Sequence, residues 1–180
     1  MRSLLIGLVF FGSGMLAQTY TGGGGQILDL QTIDFPLTVS GLNPNTIDST
    51  NFGLETVCIN LTHTWVADLD IELVSPDGTS FSLSSANGGN GDDYTNTCFN
   101  HYASTPISMG NPPFTGTFKP DGAMGMVNNG QNGNGTWKLR ISDTYAGDEG
   151  VLLSWNVTFG NNPATYTPPL VSSNLPILVI

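Results

Sequence analysis

From Phe52 onward, apolar and polar residues alternate along the chain. The alternating positions fall within residues 54–63, 69–73 and 81–83. A spacing of two is what a β-strand with one buried face requires. No stretch shows a sustained helical period of apolar residues. The pattern therefore predicts an all-β domain built from many short strands.

Turn residues separate these predicted strands. A Pro-Asp-Gly sequence at residues 76–78 lies between two alternating segments. Proline presets the backbone angle of the first turn position and glycine permits a positive φ, so residues 70–84 are predicted to form a hairpin. The same reasoning predicts residues 136–142 and 151–159 to be a closing antiparallel pair. Short strands at this spacing indicate a sandwich or a jelly roll.

The first 50 residues contain an apolar amino-terminal run and a glycine-rich segment. Residues 1–17 begin with Arg2, continue through an apolar run and end at Ala17, which is the tripartite pattern of a secretory signal peptide. The apolar run is too short for a membrane span. Residues 18–50 are predicted to be a lead-in and first strands, with four consecutive glycines making residues 21–26 flexible. The expected location is secreted or at the cell surface.

Charge narrows the classes of partner. The 180 residues include 14 Asp and Glu against 4 Lys and Arg, which gives a formal net charge of -10. Such acidity makes nucleic acid a poor partner, and it favours solubility or affinity for cations. Once a leader is removed, the length suits one domain with an ordinary core.

The two cysteines, Cys58 and Cys98, lie in the exported part of the chain. An even count in an oxidising compartment favours a disulfide, and the alternative is two buried thiols. A zinc cage is not indicated, because the cysteines are far apart and no CxxC spacing occurs.

Residues 87–93, with the sequence NGGNGDD, crowd oxygen ligands onto a backbone that is free to bend. Calcium is the ion that such a loop suits, with Asn90, Asp92 and Asp93 as its ligands. The alternative is a mobile Asn-Gly turn, so calcium is a possible cofactor and none is required. Five more carboxylates could complete a site only if folding brings them near: Asp68, Asp77, Asp121, Asp143 and Asp148.

A hydrolase of the serine type needs a nucleophile, a base and an orienting acid. His63 lies in an apolar strand, His101 lies in an Asn-rich loop, and no serine has a GxSxG context. His63 is therefore expected to be a packed or surface strand residue. Asp68 and Asp70 are predicted to share one face of a strand, as carboxylates on solvated sheets commonly do. No catalytic residue is predicted.

Six aromatic residues could form a platform for a sugar or could pack in the core: Trp65, Trp137, Trp155, Tyr94, Tyr102 and Tyr145. The three tyrosines lie in predicted loops. They are the candidates for aromatic side chains that face a ligand.

Four segments together resemble a known family: residues 62–65 (THTW), 67–79 (ADLDIELVSPDGT), 130–143 (GQNGNGTWKLRISD), which contains a GNGTW block, and 147–159 (GDEGVLLSWNVTF). They are similar, in order and spacing, to the P domain (P/Homo B domain) of proprotein convertases and bacterial subtilisin-like proteases, here over residues 51–160. The resemblance implies a jelly-roll β-sandwich of the galactose-binding-like type. It also implies that Trp137 and Trp155 are core residues.

P domains are not catalytic, and they stabilise a serine endopeptidase domain beside them. The resemblance thus implies a secreted accessory domain that stabilises or positions an attached domain, in a family associated with proteolysis. In convertases the P domain follows the protease, whereas here it follows the predicted signal peptide. The alternative is a carbohydrate-binding or surface-adhesion module, with a surface polysaccharide as partner.

The carboxyl-terminal residues point to an attached domain. Residues 161–171 are rich in Asn, Thr and Pro, as a linker is, and residues 172–180 begin a new apolar strand. Proteins avoid exposing an unpaired hydrophobic edge. We therefore expect a covalently attached downstream domain, truncated here.

Overall fold

Two sheets face each other across an apolar core in the computed structural model, which describes residues 16–168. Within that range the strands are β1 Gln18–Gly22, β2 Gly25–Ile27, β3 Thr32–Val39, β4 Thr46–Asp48, β5 Gly53–His63, β6 Leu69–Val74, β7 Ser80–Ser85, β8 Tyr94–Asn100, β9 Phe114–Phe118, β10 Asn129–Asn132, β11 Gly135–Asp143 and β12 Gly150–Gly160. Short 3-10 turns lie at Val66–Asp68, Ile107–Met109 and Met124–Val127. The prediction of an all-β sandwich is confirmed.

The strands divide between the sheets in an order that differs from their order in the sequence. The first sheet runs β1-β12-β5-β8-β9, with β2 also paired to β12. The second runs β3-β11-β6-β7, and β4 pairs with β10. Neighbouring strands are antiparallel except β8 and β9. Sequence neighbours therefore often lie in opposite sheets.

One predicted hairpin is confirmed and the other is wrong. Strands β6 and β7 pair around the turn at residues 75–79. Strands β11 and β12 do not pair, because β11 lies between β3 and β6 while β12 lies between β1 and β5. Their apolar faces meet across the core instead, with the rings of Trp137 and Phe159 centred 5.4 Å apart. Alternation predicts a strand, but the same alternation suits a partner in either sheet.

The glycine-rich lead-in is ordered, so the prediction that residues 21–26 are flexible is wrong. Strands β1 and β2 both pair with β12. A Cβ atom at Gly22 would overlap the indole of Trp155, and one at Gly24 would overlap the carbonyl oxygen of Leu152. Gly22 therefore permits a close approach to a side chain, and Gly24 permits a close approach to a backbone.

The core and the disulfide agree with the sequence predictions. Trp137 and Trp155 are fully buried, and the indole N–H of Trp137 donates to the carbonyl oxygen of Gly133 at 2.9 Å. Cys58 and Cys98 form a disulfide between directly opposed positions of β5 and β8. Their sequence separation is 40 residues. The predicted disulfide is confirmed.

Two predictions fall on residues at the ends of the chain. The signal peptide lies outside the described residues except for its last two positions, and the truncated domain at residues 172–180 lies wholly outside them. In the part of the chain that is described, no helix has the length and apolar character needed to cross a membrane.

Candidate functional site

Four loops meet at one end of the sandwich: residues 28–31, 64–68, 86–93 and 144–149. Backbone groups join them. Val66 N–H donates to Gly91 O at 2.9 Å, Thr144 N–H donates to Asp68 O at 2.8 Å, and the last residue of β11 donates to Gln31 O at 2.9 Å. These hydrogen bonds bring residues from distant parts of the sequence to one surface.

Between these loops lies an open cavity of about 510 Å³. Two aromatic side chains border it, Trp65 at 44% exposure and Tyr145 at 66%. Two carboxylates, Asp68 and Asp148, also line it. The remaining lining residues are small: Ala67, Ala86 and Ala146. We call this cavity, with its seven lining residues, the acidic pocket.

Asp68 is the buried carboxylate of the acidic pocket, at 7% exposure. It ends the 3-10 turn before β6, so the prediction that it shares a strand face with Asp70 is wrong. Its backbone carbonyl accepts hydrogen bonds from Thr144 N and Oγ1, both at 2.8 Å. Its carboxylate accepts no hydrogen bond from the described residues. Burial, and then the carboxylates of Asp143 and Asp148, raise the pKa of Asp68.

Two further carboxylates, those of Asp29 and Asp148, lie near Asp68. The negative charge of Asp29 also raises the pKa of Asp68. One oxygen of Asp29 accepts a hydrogen bond from Gly147 N at 3.2 Å. The other oxygen of Asp29 is buried without a partner among residues 16–168. Asp148 accepts a hydrogen bond from Thr64 Oγ1 at 2.5 Å. The local charge is therefore strongly negative.

Behind the pocket, His63 and Asp143 form a buried pair with Nε2 and Oδ2 3.2 Å apart, and both side chains are fully buried. A carboxylate only accepts hydrogen bonds, so Nε2 carries the proton. The other ring nitrogen, Nδ1, lies 3.0 Å from Trp65 O and 3.2 Å from Trp65 N. Both ring nitrogens thus contact protein groups, and the expectation that His63 is a packed strand residue is confirmed.

The glycine-rich loop of residues 87–93 forms hydrogen bonds to the loop of residues 64–68, which lines the acidic pocket. Gly91 O and Gly89 O accept hydrogen bonds from Val66 N and Ala67 N, at 2.9 Å and 3.2 Å. Gly88 has a φ of +89°, and a Cβ there would overlap the side chain of Val66. Most of the loop therefore has a structural role that its composition did not reveal.

The predicted calcium ligands lie in this loop. Asp93 Oδ1 accepts a hydrogen bond from His63 N at 3.0 Å, while Asn90 and Asp92 are exposed. No group of three or more His, Cys, Asp or Glu side chains within residues 16–168 is arranged to hold a metal ion. A calcium site made partly of amide and backbone oxygens stays a prediction.

Of the other carboxylates, folding brings together only some. Asp143 and Asp148 are close enough to Asp68 to raise its pKa. Asp77 lies in the turn beyond β6, at the other end of that strand. Asp121 accepts hydrogen bonds from Ser85 N and Asn87 Nδ2, at 3.0 Å and 2.7 Å.

The three candidate tyrosines occupy different environments. Tyr94 begins β8 and is fully buried, so the prediction that it faces a ligand is wrong. Its ring stacks on Phe114 at 4.7 Å, its hydroxyl lies 2.9 Å from Ser84 Oγ, and burial raises its pKa. Tyr102 is half exposed and donates to Pro163 O at 2.9 Å. Only Tyr145 borders the acidic pocket.

Sequence reasoning did not single out Trp65 as a site residue. In the sequence it was one of six aromatic residues that could form a platform for a sugar, and it ended the 62–65 segment, but only the three tyrosines were chosen as candidates. The fold places it beside Tyr145 because the loops at residues 64–68 and 144–149 meet.

The profile of one family, described as the proprotein convertase P-domain, matches residues 55–159. The chain belongs to the proprotein convertase P-domain family. This P domain is 32% identical over 127 residues to leupeptin-inactivating enzyme 1 of Streptomyces exfoliatus, covering 71% of this chain and 22% of that protein. It is 29% identical over 103 residues to the transglutaminase-activating metalloprotease of Streptomyces mobaraensis, covering 57% and 10%. It therefore spans less than a quarter of either relative.

Solved structures of the serine protease of Aeromonas sobria are also similar to this P domain. One is the protease alone, with a TM-score of 0.47 and 19% identity, covering 89% of this chain and 28% of that chain. The other is its complex with a chaperone, at the same TM-score and identity, covering 82% and 26%.

Proposed function

We propose that this chain is a secreted, noncatalytic P domain that stabilises or positions an attached domain. The main support for this proposal is that the chain matches only a small part of each of its relatives. The chain matches 22% of one named enzyme and 10% of a named metalloprotease. Most of each relative, with ample length for a catalytic domain, lies outside the matched module.

The buried pair of His63 and Asp143 supports a structural role. A general base must reach the proton that it abstracts. Both ring nitrogens of His63 already contact protein groups, and its side chain has no exposed surface. Its hydrogen bonds instead connect β5 to the end of β11 in the other sheet.

The segment after β12 supports a positioning role. Ala164 is buried, its N–H donates to Leu54 O at 3.0 Å, and its carbonyl accepts from Asn128 Nδ2 at 2.9 Å. Tyr102 fixes the preceding residue, Pro163, through the 2.9 Å hydrogen bond of its hydroxyl. The first part of the predicted linker is thus held on the domain surface, which would set the direction in which the chain leaves.

Removal of the P domain from the native secreted polypeptide tests this function. Mass and peptide sequencing first establish whether that polypeptide begins near Gln18 and extends past Ile180. The polypeptide lacking residues 18–160 is then expected to melt several degrees lower in its remaining domain, while an intact P domain alone shows no peptidase activity. An unchanged melting temperature and unchanged activity of the remaining domain would contradict the accessory role.

Carbohydrate binding or surface adhesion is the second candidate, because the partly exposed side chains of Trp65 and Tyr145 line the acidic pocket together with two carboxylates. Aromatic and polar groups together suit a sugar ring. A glycan panel tests this function, with Tyr145→Ala expected to abolish binding and Tyr102→Ala as the matched exposed control. A panel without any binding would remove this candidate.

A further inference from the structure

The acidic pocket combines features that a solvated protein surface does not need. Asp68 is more than nine-tenths buried, it lines the cavity, and its carboxylate has no hydrogen-bond donor among the described residues. An uncompensated buried charge is costly, and a nearby opposite charge is the usual compensation. The carboxylates of Asp143, Asp148 and Asp29 add to the negative charge, and the group that acts in the opposite direction, His63, is already paired with Asp143.

The walls of the pocket suit an organic cation. The face of a tryptophan or tyrosine ring attracts an ammonium or guanidinium group, and Trp65 and Tyr145 both border the cavity. Its small residues, Ala67, Ala86 and Ala146, leave room for an aliphatic stem. The volume of about 510 Å³ is within the range of small-ligand sites.

We propose that the acidic pocket binds the side chain of a lysine or arginine presented by a polypeptide. Such a side chain carries its charge on an apolar stem, so it would place a donor at Asp68 and methylene groups against the aromatic rings. A neutral sugar would leave the charge of Asp68 uncompensated. A bare metal ion would make no use of Trp65 and Tyr145. The proposal does not depend on the accessory role, because the polypeptide could be the attached domain or a separate protein.

Two aminoacyl probes test the chemistry directly. The 180-residue chain is titrated with N-acetyl-lysine methylamide and N-acetyl-arginine methylamide, and Trp65 fluorescence or amide NMR shifts of Thr64 to Asp68 report binding. The neutral control is N-acetyl-norleucine methylamide, which matches the lysine stem without its charge. Saturable binding of the cationic probes, at least tenfold tighter than that of the norleucine probe, is the expected result.

Paired variants separate the pocket from general charge. Asp68→Asn and Asp92→Asn each remove one negative charge, but only Asp68 lines the cavity. Asp68→Asn is expected to weaken binding at least tenfold, and Asp92→Asn less than twofold. Trp65→Leu is expected to weaken binding as well, with Tyr102→Leu as the aromatic control. Melting curves confirm that each variant is folded before it is titrated.

Each outcome has a defined meaning. The proposal is overturned if the norleucine probe binds as tightly as the cationic probes. It is also overturned if the site at Asp68 binds only calcium ion or only N-acetylglucosamine, or if the 180-residue chain binds no probe. Cationic binding by the 180-residue chain that is absent in the longer native polypeptide supports an occupant from the attached domain. Equal binding by both supports a separate polypeptide. Neither of these last two results depends on the stability of the neighbouring domain.

Discussion

The Nε2 atom of His63 lies 3.2 Å from Oδ2 of Asp143, and this fully buried contact joins the end of β5 in one sheet to the end of β11 in the other. Both residues also hold the loops around the acidic pocket. His63 contacts the backbone of Trp65, and Asp143 Oδ1 accepts a hydrogen bond from Tyr145 N at 3.3 Å. The pair therefore ties the two sheets to the two aromatic residues of the site.

Loss of this pair is expected to be costly. Asp143→Ala would leave the buried Nε2–H of His63 without its acceptor, and a buried donor that loses its partner costs about 2 kcal/mol. Urea unfolding at neutral pH measures the change. Asp92→Ala, at an exposed position, is the control and is expected to stay within about 0.5 kcal/mol of the wild type. A change of that small size in Asp143→Ala would mean that the contact adds little to stability.

The disulfide is expected to stabilise the fold by constraining the unfolded chain. Cys58 and Cys98 are 40 residues apart, and a loop of that length contributes at most about 4 kcal/mol. A reductant should lower the melting temperature of the wild type, and it should have no effect on the double variant Cys58→Ser/Cys98→Ser. A thiol assay on the unreduced protein should detect no free cysteine. Two reactive thiols in that assay would contradict the disulfide.

The glycine run provides a matched pair of substitutions. A Cβ at Gly24 would overlap the carbonyl oxygen of Leu152, whereas a Cβ at Gly23 would meet no atom within 4 Å. Gly24→Ala is therefore expected to lower the free energy of unfolding by about 2 kcal/mol, the usual effect of overpacking, while Gly23→Ala is close to neutral. Equal small effects at both positions would indicate that residues 21–26 do not dock on β12 in solution.

The turn between β6 and β7 is expected to lose stability in acid. Burial would raise the pKa of Asp77, but hydrogen bonds from Ser75, Asn129 and Thr79 outweigh it and lower the pKa to about 2. A carboxyl whose pKa is lower in the folded state stabilises the protein above its unfolded pKa, near 3.8. That stabilisation is lost as the pH falls from about 4 to about 2.

Comparison with Asp77→Asn isolates this contribution. The variant should be less stable than the wild type at pH 7, by about 1 kcal/mol for the weakened hydrogen bonds. The difference should shrink as the pH approaches 2, because the wild-type carboxyl is then protonated. Urea midpoints measured at pH 7, 4 and 2.5 provide the check. A difference that stays constant with pH would show that the charge of Asp77 is not stabilising.

Calcium binding at Asn90, Asp92 and Asp93 is tested by melting the protein with calcium chloride and with a chelator. A ligand that binds only the folded state raises its stability, so an occupied loop should melt higher with calcium. Asp92→Asn should abolish that shift, and Asp68→Asn should preserve it, which separates this loop from the acidic pocket. Identical melting temperatures with and without the chelator would show that this loop binds no calcium.

The local features of this P domain follow from residues that are close together in the chain. Alternation at residues 54–63 and 69–73 specified strands, and the Pro-Asp-Gly turn specified the β6–β7 hairpin, because period-two burial and turn geometry depend on residues close in the chain. The disulfide was also predictable, since the only two cysteines had no other partner. The resemblance to the P-domain family predicted that the strands assemble into a jelly-roll β-sandwich.

The choice of strand partners and the meeting of loops depend instead on packing between distant parts of the chain. Strands β11 and β12 adjoin in sequence but belong to different sheets, because alternation does not name a partner. The burial of Tyr94 and the ordering of the glycine run follow from packing against Phe114 and Trp155. The acidic pocket depends most on the fold, since Trp65 and Tyr145 become neighbours only through hydrogen bonds between distant loops.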